Sequence, residues 1–277
     1  MSERAPEVSI VVPAHDEAES LEILAGEIRG ALDGAGLDYE VIFVDDGSTD
    51  ATPEVLRGLA AADRRVRVVR QRRRAGQSAA LDAGFRRARG ELVVTLDADL
   101  QNDPADIPRL LAALPGHDLV CGVRTRRRDD WLRRVSSRVA GAVRNRMTGD
   151  RLADAGCSLR VYRAEVLRRV PMYDGMHRFL PILLRLAGAR VEEVPVSHRP
   201  RLHGAAKYGV GNRLWRGLAD LAAVCWMQRR WIDRGLSEEI VPCAKTSCGS
   251  PSDSAVRPSS SAASSSSGSP PSAARRA

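Results

Sequence analysis

Aromatic residues make up only 4% of the 277-residue chain, so a core must be assembled from Val, Leu, Ile and Ala. There are five cysteines (Cys121, Cys157, Cys225, Cys243 and Cys248), with no CxxC pair and no Cys/His spacing of a zinc site. That excludes a disulfide scaffold and a zinc module, and predicts free thiols in a reducing cytoplasm. No strongly apolar run is long enough to cross a bilayer. The best stretch, from Leu218 to Met227, contains Asp220 and has about half the required length. The opening residues, Met1 to Glu7, are polar and lead straight into a strand pattern, which predicts no signal peptide. No GxGxxG follows the first apolar run, against a nicotinamide dinucleotide site. Internal repeats are absent.

Positive charge is plentiful. The formal net charge is +8 with a pI near 9.8, and nearly all of the excess is arginine. A basic balance admits nucleic acid, anionic membrane or phosphate-bearing substrates as partners. Arginine favours phosphate, because its planar fork grips two oxygens at once.

Short apolar runs alternate with helical patterns. Val8–Val12, Tyr39–Val44, Arg67–Arg70, Leu92–Leu96 and Leu119–Val123 read as strands. Between the first two, Leu21, Leu24, Ile28 and Leu32 recur at helical spacing, and Asp50 with Pro53 marks the start of a second helix bearing Leu56 and Leu59. β-Branched runs joined by helices predict a mostly parallel sheet covered on both faces, an α/β doubly wound half over residues 1–123. Ligands bind beyond the carboxyl ends of such strands. Here those ends carry Pro13-Ala-His-Asp-Glu17, Asp45-Asp-Gly-Ser-Thr-Asp50 and Asp97-Ala-Asp-Leu-Gln101. Three acidic clusters on one edge would repel one another without a cation or ligand between them. Asp97 and Asp99, flanking the small Ala98 at a strand end, are placed to share a divalent ion with a diphosphate.

The second half, residues 124–236, differs in kind. An arginine-dense loop from Arg124 to Arg134 is followed by a predicted helix from Trp131 to Met147, a strand from Ser158 to Tyr162, two helices and a strand from Val191 to Val196. A polar loop then carries His198-Arg-Pro-Arg201 and Lys207. The predicted final helix, Asn212 to Trp231, joins Leu214, Leu218, Leu221 and Trp226 to Arg213, Arg216, Arg229 and Arg230, a pattern suited to an anionic bilayer surface or to covering the core. Residues 237–277 are Ser/Pro/Ala-rich and predict a disordered tail.

The motifs Pro13-Ala-His-Asp-Glu17, Val44-Asp-Asp-Gly-Ser-Thr-Asp50, Gly76-Gln-Ser-Ala-Ala-Leu81 and Asp97-Ala-Asp-Leu-Gln101 together resemble family 2 glycosyltransferases of the GT-A fold. Gly156-Cys-Ser-Leu-Arg-Val-Tyr-Arg163, His198-Arg-Pro-Arg201 and Lys207-Tyr-Gly209 resemble the branch of dolichyl-phosphate mannosyltransferases and undecaprenyl-phosphate glycosyltransferases. The resemblance spans residues 6–232 and implies site roles. Pro13, His15, Glu17, Val44, Asp45, Asp46, Gln77, Ala98 and Gln101 would line the nucleotide-sugar pocket. Asp97, Asp99 and Gln101 would hold Mg²⁺ or Mn²⁺. Arg124, Arg138, Arg199, Arg201 and Lys207 would hold the donor diphosphate and the acceptor phosphate, with Asp97, Asp99, Asp154 and Arg201 at the reaction centre. Asp154 reads equally as a turn residue. Two departures from the family pattern are Asp16 in place of Asn and Ala206 in place of Ser.

The implied reaction moves a hexose from a GDP- or UDP-sugar to a polyprenyl phosphate, with inversion, on the inner face of the plasma membrane where the protein sits peripherally. A phosphate monoester is largely dianionic at neutral pH, so it needs cationic guidance rather than a strong base. A transferase for saccharide hydroxyls would want a carboxylate base in the second half, where arginines dominate. A nucleic-acid-binding protein is disfavoured because strand-end aspartates repel a phosphate backbone and no nucleic-acid motif is present.

Overall fold

The computed structural model describes residues 5–124, 141–200 and 210–232, with the side chains of 210–216 excepted. All of these fall within one compact unit, Met1–Asp233. The expected disordered tail, most of the arginine-dense loop with Arg138, and the loop bearing Arg201 and Lys207 lie outside the described residues.

Seven strands form one sheet: β1 (Val8–Ala14), β2 (Tyr39–Asp45), β3 (Val66–Arg70), β4 (Leu92–Thr95), β5 (Leu119–Arg124), β6 (Arg160–Arg163) and β7 (Val191–Val196). Their order is β3-β2-β1-β4-β6-β5-β7. The β1–β2, β2–β3, β1–β4 and β5–β7 pairs are parallel. β6 runs antiparallel to both of its neighbours, pairing Arg160 with Thr95 and with Cys121. The expected mostly parallel sheet is therefore present, with one reversed strand at its middle. Direction is not encoded in the residues of a four-residue strand, so Ser158–Tyr162 gave no hint of it.

Helices cover both faces: α1 (Ala18–Gly34), α2 (Thr52–Ala62), α3 (Gln77–Phe85), α4 (Ile107–Ala112), α5 (141–148), α6 (Ala164–Leu167), α7 (Leu180–Leu186) and α8 (Val210–Arg229). On one face Leu21, Leu24, Ile28 and Leu32 of α1, Leu56 of α2 and Ile107 of α4 pack on Ile10, Val12 and Phe43. Each of these α1 residues is fully buried and stabilises the fold by roughly 1.5–3 kcal/mol. On the other face Ala80 and Leu81 of α3, Leu183 of α7 and Leu221 and Val224 of α8 pack on Val11, Ile42 and Tyr162. Gly84 of α3 lies so close to Val11 that a Cβ there would collide with its Cγ1. Cys121 and Cys157 are free thiols, as expected, and both are buried. Burial pushes them up to about 12 and about 11 respectively.

At the amino-terminal edge of the sheet, Glu40 is buried yet saturated. It accepts from Ser9 Oγ (2.7 Å), the Arg89 amide (2.8 Å), Arg67 Nη1 (2.7 Å) and Arg89 Nε (2.9 Å). The opposite edge carries the candidate site. Among the described residues no helix is long and apolar enough to cross a membrane.

Candidate active site

Parallel pairing brings the carboxyl ends of β1, β2 and β4 to one edge, and a cleft of about 540 Å³ opens there. It is lined by Pro13, His15, Glu17, Asp46, Gln77, Asp97, Ala98, Asp99, Gln101 and Arg124, as the sequence predicts. Arg74, Ser158, Arg160, Tyr162, His177 and Arg178 line it as well.

The acidic clusters divide into two kinds. Those following β1 and β2 are braced by backbone amides and so do not repel freely. Asp45 accepts from the Ser48 amide (2.9 Å), and Asp16 Oδ1 from the Thr49 amide (2.8 Å). Asp46 holds the start of α3 through the amides of Ala75 (2.7 Å) and Gly76 (2.9 Å). Asp16 has φ of 50°, a left-handed conformation that Asp and Asn tolerate better than most residues. With its oxygen used as an acceptor, Asp serves there as Asn would. Gly47, between Asp46 and Ser48, has φ of 65° and lies so near the Arg74 amide that a Cβ would sit 2.5 Å from its nitrogen. Only glycine fits.

The pair after β4 is different. Asp97 Oδ1 accepts from Gln77 Nε2 (2.7 Å), and Asp99 Oδ1 from the Gln101 amide (3.2 Å). Leu100, between Asp99 and Gln101, has φ of 60° and a side chain only 1% exposed. A non-glycine residue at positive φ costs on the order of 1 kcal/mol or more, here offset by burial, and such strain collects at functional loops. Burial first, then the charge of Asp99, pushes the Asp97 carboxyl up to about 6. The charges of Arg160 and Arg124 act on Asp97 in the opposite sense, but burial and Asp99 outweigh them. The pair's hard oxygen donors, with the Gln101 side chain alongside, suit Mg²⁺ or Mn²⁺. Among the described residues no three His, Cys, Asp or Glu side chains converge to hold a metal unaided, so ligand oxygens would have to complete the shell.

Four of the expected site residues are placed elsewhere. Val44 is fully buried in the core behind the cleft, and Asp45 is also buried, braced by Ser48 and lying 3.3 Å from Arg70. Asp154 sits behind Gly156, where its two oxygens take Arg124 Nε (2.6 Å) and Nη2 (2.9 Å) and the Gly156 amide (3.1 Å). Arg124 and Asp154 thus form a fork-to-fork pair at the cleft wall. Arg199 does not line the cleft: its guanidinium lies between Glu27 (2.7 Å) and Asp103 (2.7 Å) on the α1 side. Where the resemblance implies a phosphate-holding role, Arg199 here braces Glu27 and Asp103. Its neighbour His198 forms an isolated bridge with Asn102.

Arg160, Arg178 and His177 were not singled out from the sequence. A charged residue alternating with Leu159 and Val161 in a buried strand was the available signal, since period two sends Arg160 and Tyr162 to one face. His177 is joined through Nδ1 to Ser78 Oγ (2.8 Å). Burial, then the charges of Arg178 and Arg160, lower it to about 3, so its ring is neutral.

Residues 9–170 match the family model described as Glycosyl transferase family 2. The chain belongs to that family. It is 44% identical over 207 residues to an undecaprenyl-phosphate 4-deoxy-4-formamido-L-arabinose transferase of Edwardsiella ictaluri, a match covering 73% of this chain and 63% of that protein. It is 40% identical to a dodecaprenyl-phosphate galacturonate synthase of Rhizobium johnstonii, covering 80% and 68% respectively. The chain therefore spans less than two thirds of the first of these relatives. The fold is that of the glucosyl-3-phosphoglycerate synthase of Mycobacterium tuberculosis, solved with Mn²⁺, UDP and phosphoglyceric acid, at a TM-score of 0.62 and 23% identity over 83% of this chain and 81% of that one. This family 2 chain accordingly has the GT-A architecture that the motifs imply.

Proposed function

We propose that this family 2 chain is an inverting, divalent-metal-dependent glycosyltransferase that moves a sugar from a nucleoside diphosphate to a polyprenyl phosphate. The observation that carries the reading is the Asp97/Asp99 pair lining the cleft, where burial and the neighbouring charge raise Asp97, together with the arginines of the same cleft. Relatives at 40–44% identity, named for transfer to undecaprenyl and dodecaprenyl phosphates, support the acceptor class.

A divalent ion on Asp97, Asp99 and Gln101 would neutralise the departing diphosphate. The protein's part is placement. Asp46 fixes the turn at Ala75 and Gly76, that turn starts α3, and Gln77 at its head fixes Asp97. Pro13, His15 and Glu17 border the nucleotide end. Arg124 holds Asp154 aligned beside Gly156. Arg138, Arg201 and Lys207, beyond the described residues, are assigned to the acceptor phosphate. Such an acceptor arrives already ionised and attacks the anomeric carbon from the face opposite the leaving group, so no strong base is required.

The acceptor lipid stays in its membrane, and α8 suits a peripheral approach. It buries Leu221 and Val224 while leaving Trp226 64% exposed, close to Arg229 and Arg230. Contact with the inner face of the plasma membrane, without nucleic acid, is part of the same proposal.

The test is a transfer assay with purified protein, Mn²⁺, undecaprenyl phosphate and a panel of nucleotide-sugars. Product should form with the phosphate and not with undecaprenol. Asp99→Asn should lower turnover by several orders of magnitude without unfolding the chain, and chelation should abolish wild-type activity reversibly. Full activity in excess EDTA would reject the metal, and efficient transfer to the alcohol would reject the phosphate acceptor.

A further inference from the structure

Arg160 is a buried cation whose hydrogen-bond partners are neutral. Its residue is 4% exposed, and its guanidinium donates to the carbonyls of His177 (3.0 Å) and Ala155 (2.6 Å) while Nε has no acceptor. The Tyr162 hydroxyl, a further hydrogen-bond partner of Arg160, is neutral. Among the described residues no carboxylate lies within ion-pair distance of Arg160, nor of Arg178, which lines the same cleft. Asp97 acts on Arg160 through space. Burying an uncompensated guanidinium is costly, and a native structure rarely keeps one without an anion to receive.

The surroundings hold Arg160 and the backbone that carries Arg178 in place. Residues 176–178 form a short turn over the cleft. The turn is pinned at one end by Ser78 Oγ to the His177 ring and amide, and beneath by Arg160 to the His177 carbonyl. Arg160 stands opposite Thr95 in the β4–β6 register, two residues before Asp97. The pair therefore borders the floor of the cleft, on the far side of the acidic pair from the nucleotide-end residues Pro13 and His15. A substrate group reaching it must be carried by the sugar or by the acceptor.

We propose that Arg160 and Arg178 form an oxyanion seat distinct from the metal-binding carboxylates, receiving either a carboxylate on the transferred sugar or the acceptor's phosphate. The assignment rests on the glycosyltransferase reading. It adds a recognition element that separates acidic from neutral substrates.

Calorimetric titration distinguishes the two sources. UDP and GDP are titrated first. If UDP binds, UDP-glucuronate is compared with UDP-glucose, and farnesyl phosphate with farnesol at saturating UDP. If only GDP binds, GDP-mannuronate is compared with GDP-mannose instead. One acidic probe should bind at least about tenfold more tightly than its neutral partner, the scale of one charged hydrogen bond. Arg178→Gln should erase that preference while leaving affinity for the free nucleotide within about threefold. Arg160→Lys should weaken it too, and if that variant does not fold, the exposed Arg178 decides alone. A preference for the sugar carboxylate assigns the seat to the donor, and a preference for the lipid phosphate assigns it to the acceptor. No acidic preference in the wild type, a preference unchanged in Arg178→Gln, or an equal loss for the free nucleotide overturns the seat. Failure of both nucleotides to bind overturns the enzyme reading itself, and the seat with it.

Discussion

Asp154 is the residue whose role the sequence leaves open, and its pairing with Arg124 makes a quantitative prediction. Its side chain is 5% exposed and accepts from both forks of Arg124, whose own side chain is 19% exposed. Asp154→Asn keeps the shape, removes the charge and turns one acceptor into a donor that faces a guanidinium. Breaking a fully buried pair costs about 3–5 kcal/mol. Water reaches part of Arg124 and recovers some of that penalty, so about 2–4 kcal/mol is expected. Arg124→Gln should cost a similar amount, because it strands a buried carboxylate. In the double variant each loss has already been incurred, so the two should fail to add by about 1–3 kcal/mol. Urea unfolding followed by circular dichroism measures all four corners of the cycle. Strict additivity, or an Asp154→Asn cost below about 0.5 kcal/mol, would show that the pair does not brace the wall and return Asp154 to direct contact with substrate.

Glu40→Gln should destabilise the fold by about 2–4 kcal/mol, since it leaves Arg67 and Arg89 facing an amide; thermal unfolding reads this directly. Burial raises the Glu40 pKa, but Arg67, the Arg89 amide and Ser9 together hold it below its usual 4.5. Its stabilisation is therefore present above pH 4.5 and lost as pH falls below, and acid titration of the Gln variant should lack that loss. His177, lowered from 6.5 to about 3, stays neutral in the fold while the unfolded chain takes up a proton. Stability should decline from pH 6.5 downward by at most about 1.4 kcal/mol per pH unit from this group, and His177→Gln should show a shallower decline between pH 6.5 and 5. Gly84→Ala should cost about 1–3 kcal/mol by overpacking, and Val11→Ala in the same chain should recover part of it; equal losses with and without Val11→Ala would refute the collision.

Local chemistry made much of this legible in the sequence. Val8–Ala14 and Tyr39–Asp45 appear within a residue or two of the apolar runs that predict them, because buried strands must be apolar. Leu21, Leu24, Ile28 and Leu32 mark their helix because one face packs on the sheet. Asp50 marks the second helix by accepting from the amide of Thr52 (2.9 Å), the helix's first residue. The strand-end motifs supplied eight of the expected cleft residues, since parallel strands necessarily share an edge. What escaped depends on long-range geometry. Arg199 is drawn to Glu27, 172 residues away, and the seat of Arg160 exists only because His177 is carried back to Ser78, 99 positions earlier.

The reversed strand at the centre of the sheet also governs the order in which the molecule is able to form. β4 has β1 on one side, but its other neighbour is β6, which arrives roughly 65 residues later, and β5 reaches the sheet only through β6. During synthesis, residues 1–123 would emerge with one edge of β4 unpaired and with β5 unattached. An isolated amino-terminal half should therefore aggregate through that open edge rather than fold. Closure of a long loop before β6 can dock makes acquisition of the sheet slow relative to its helices. The cleft is then among the last features to appear, so that nucleotide binding reports completed folding of the chain through β6.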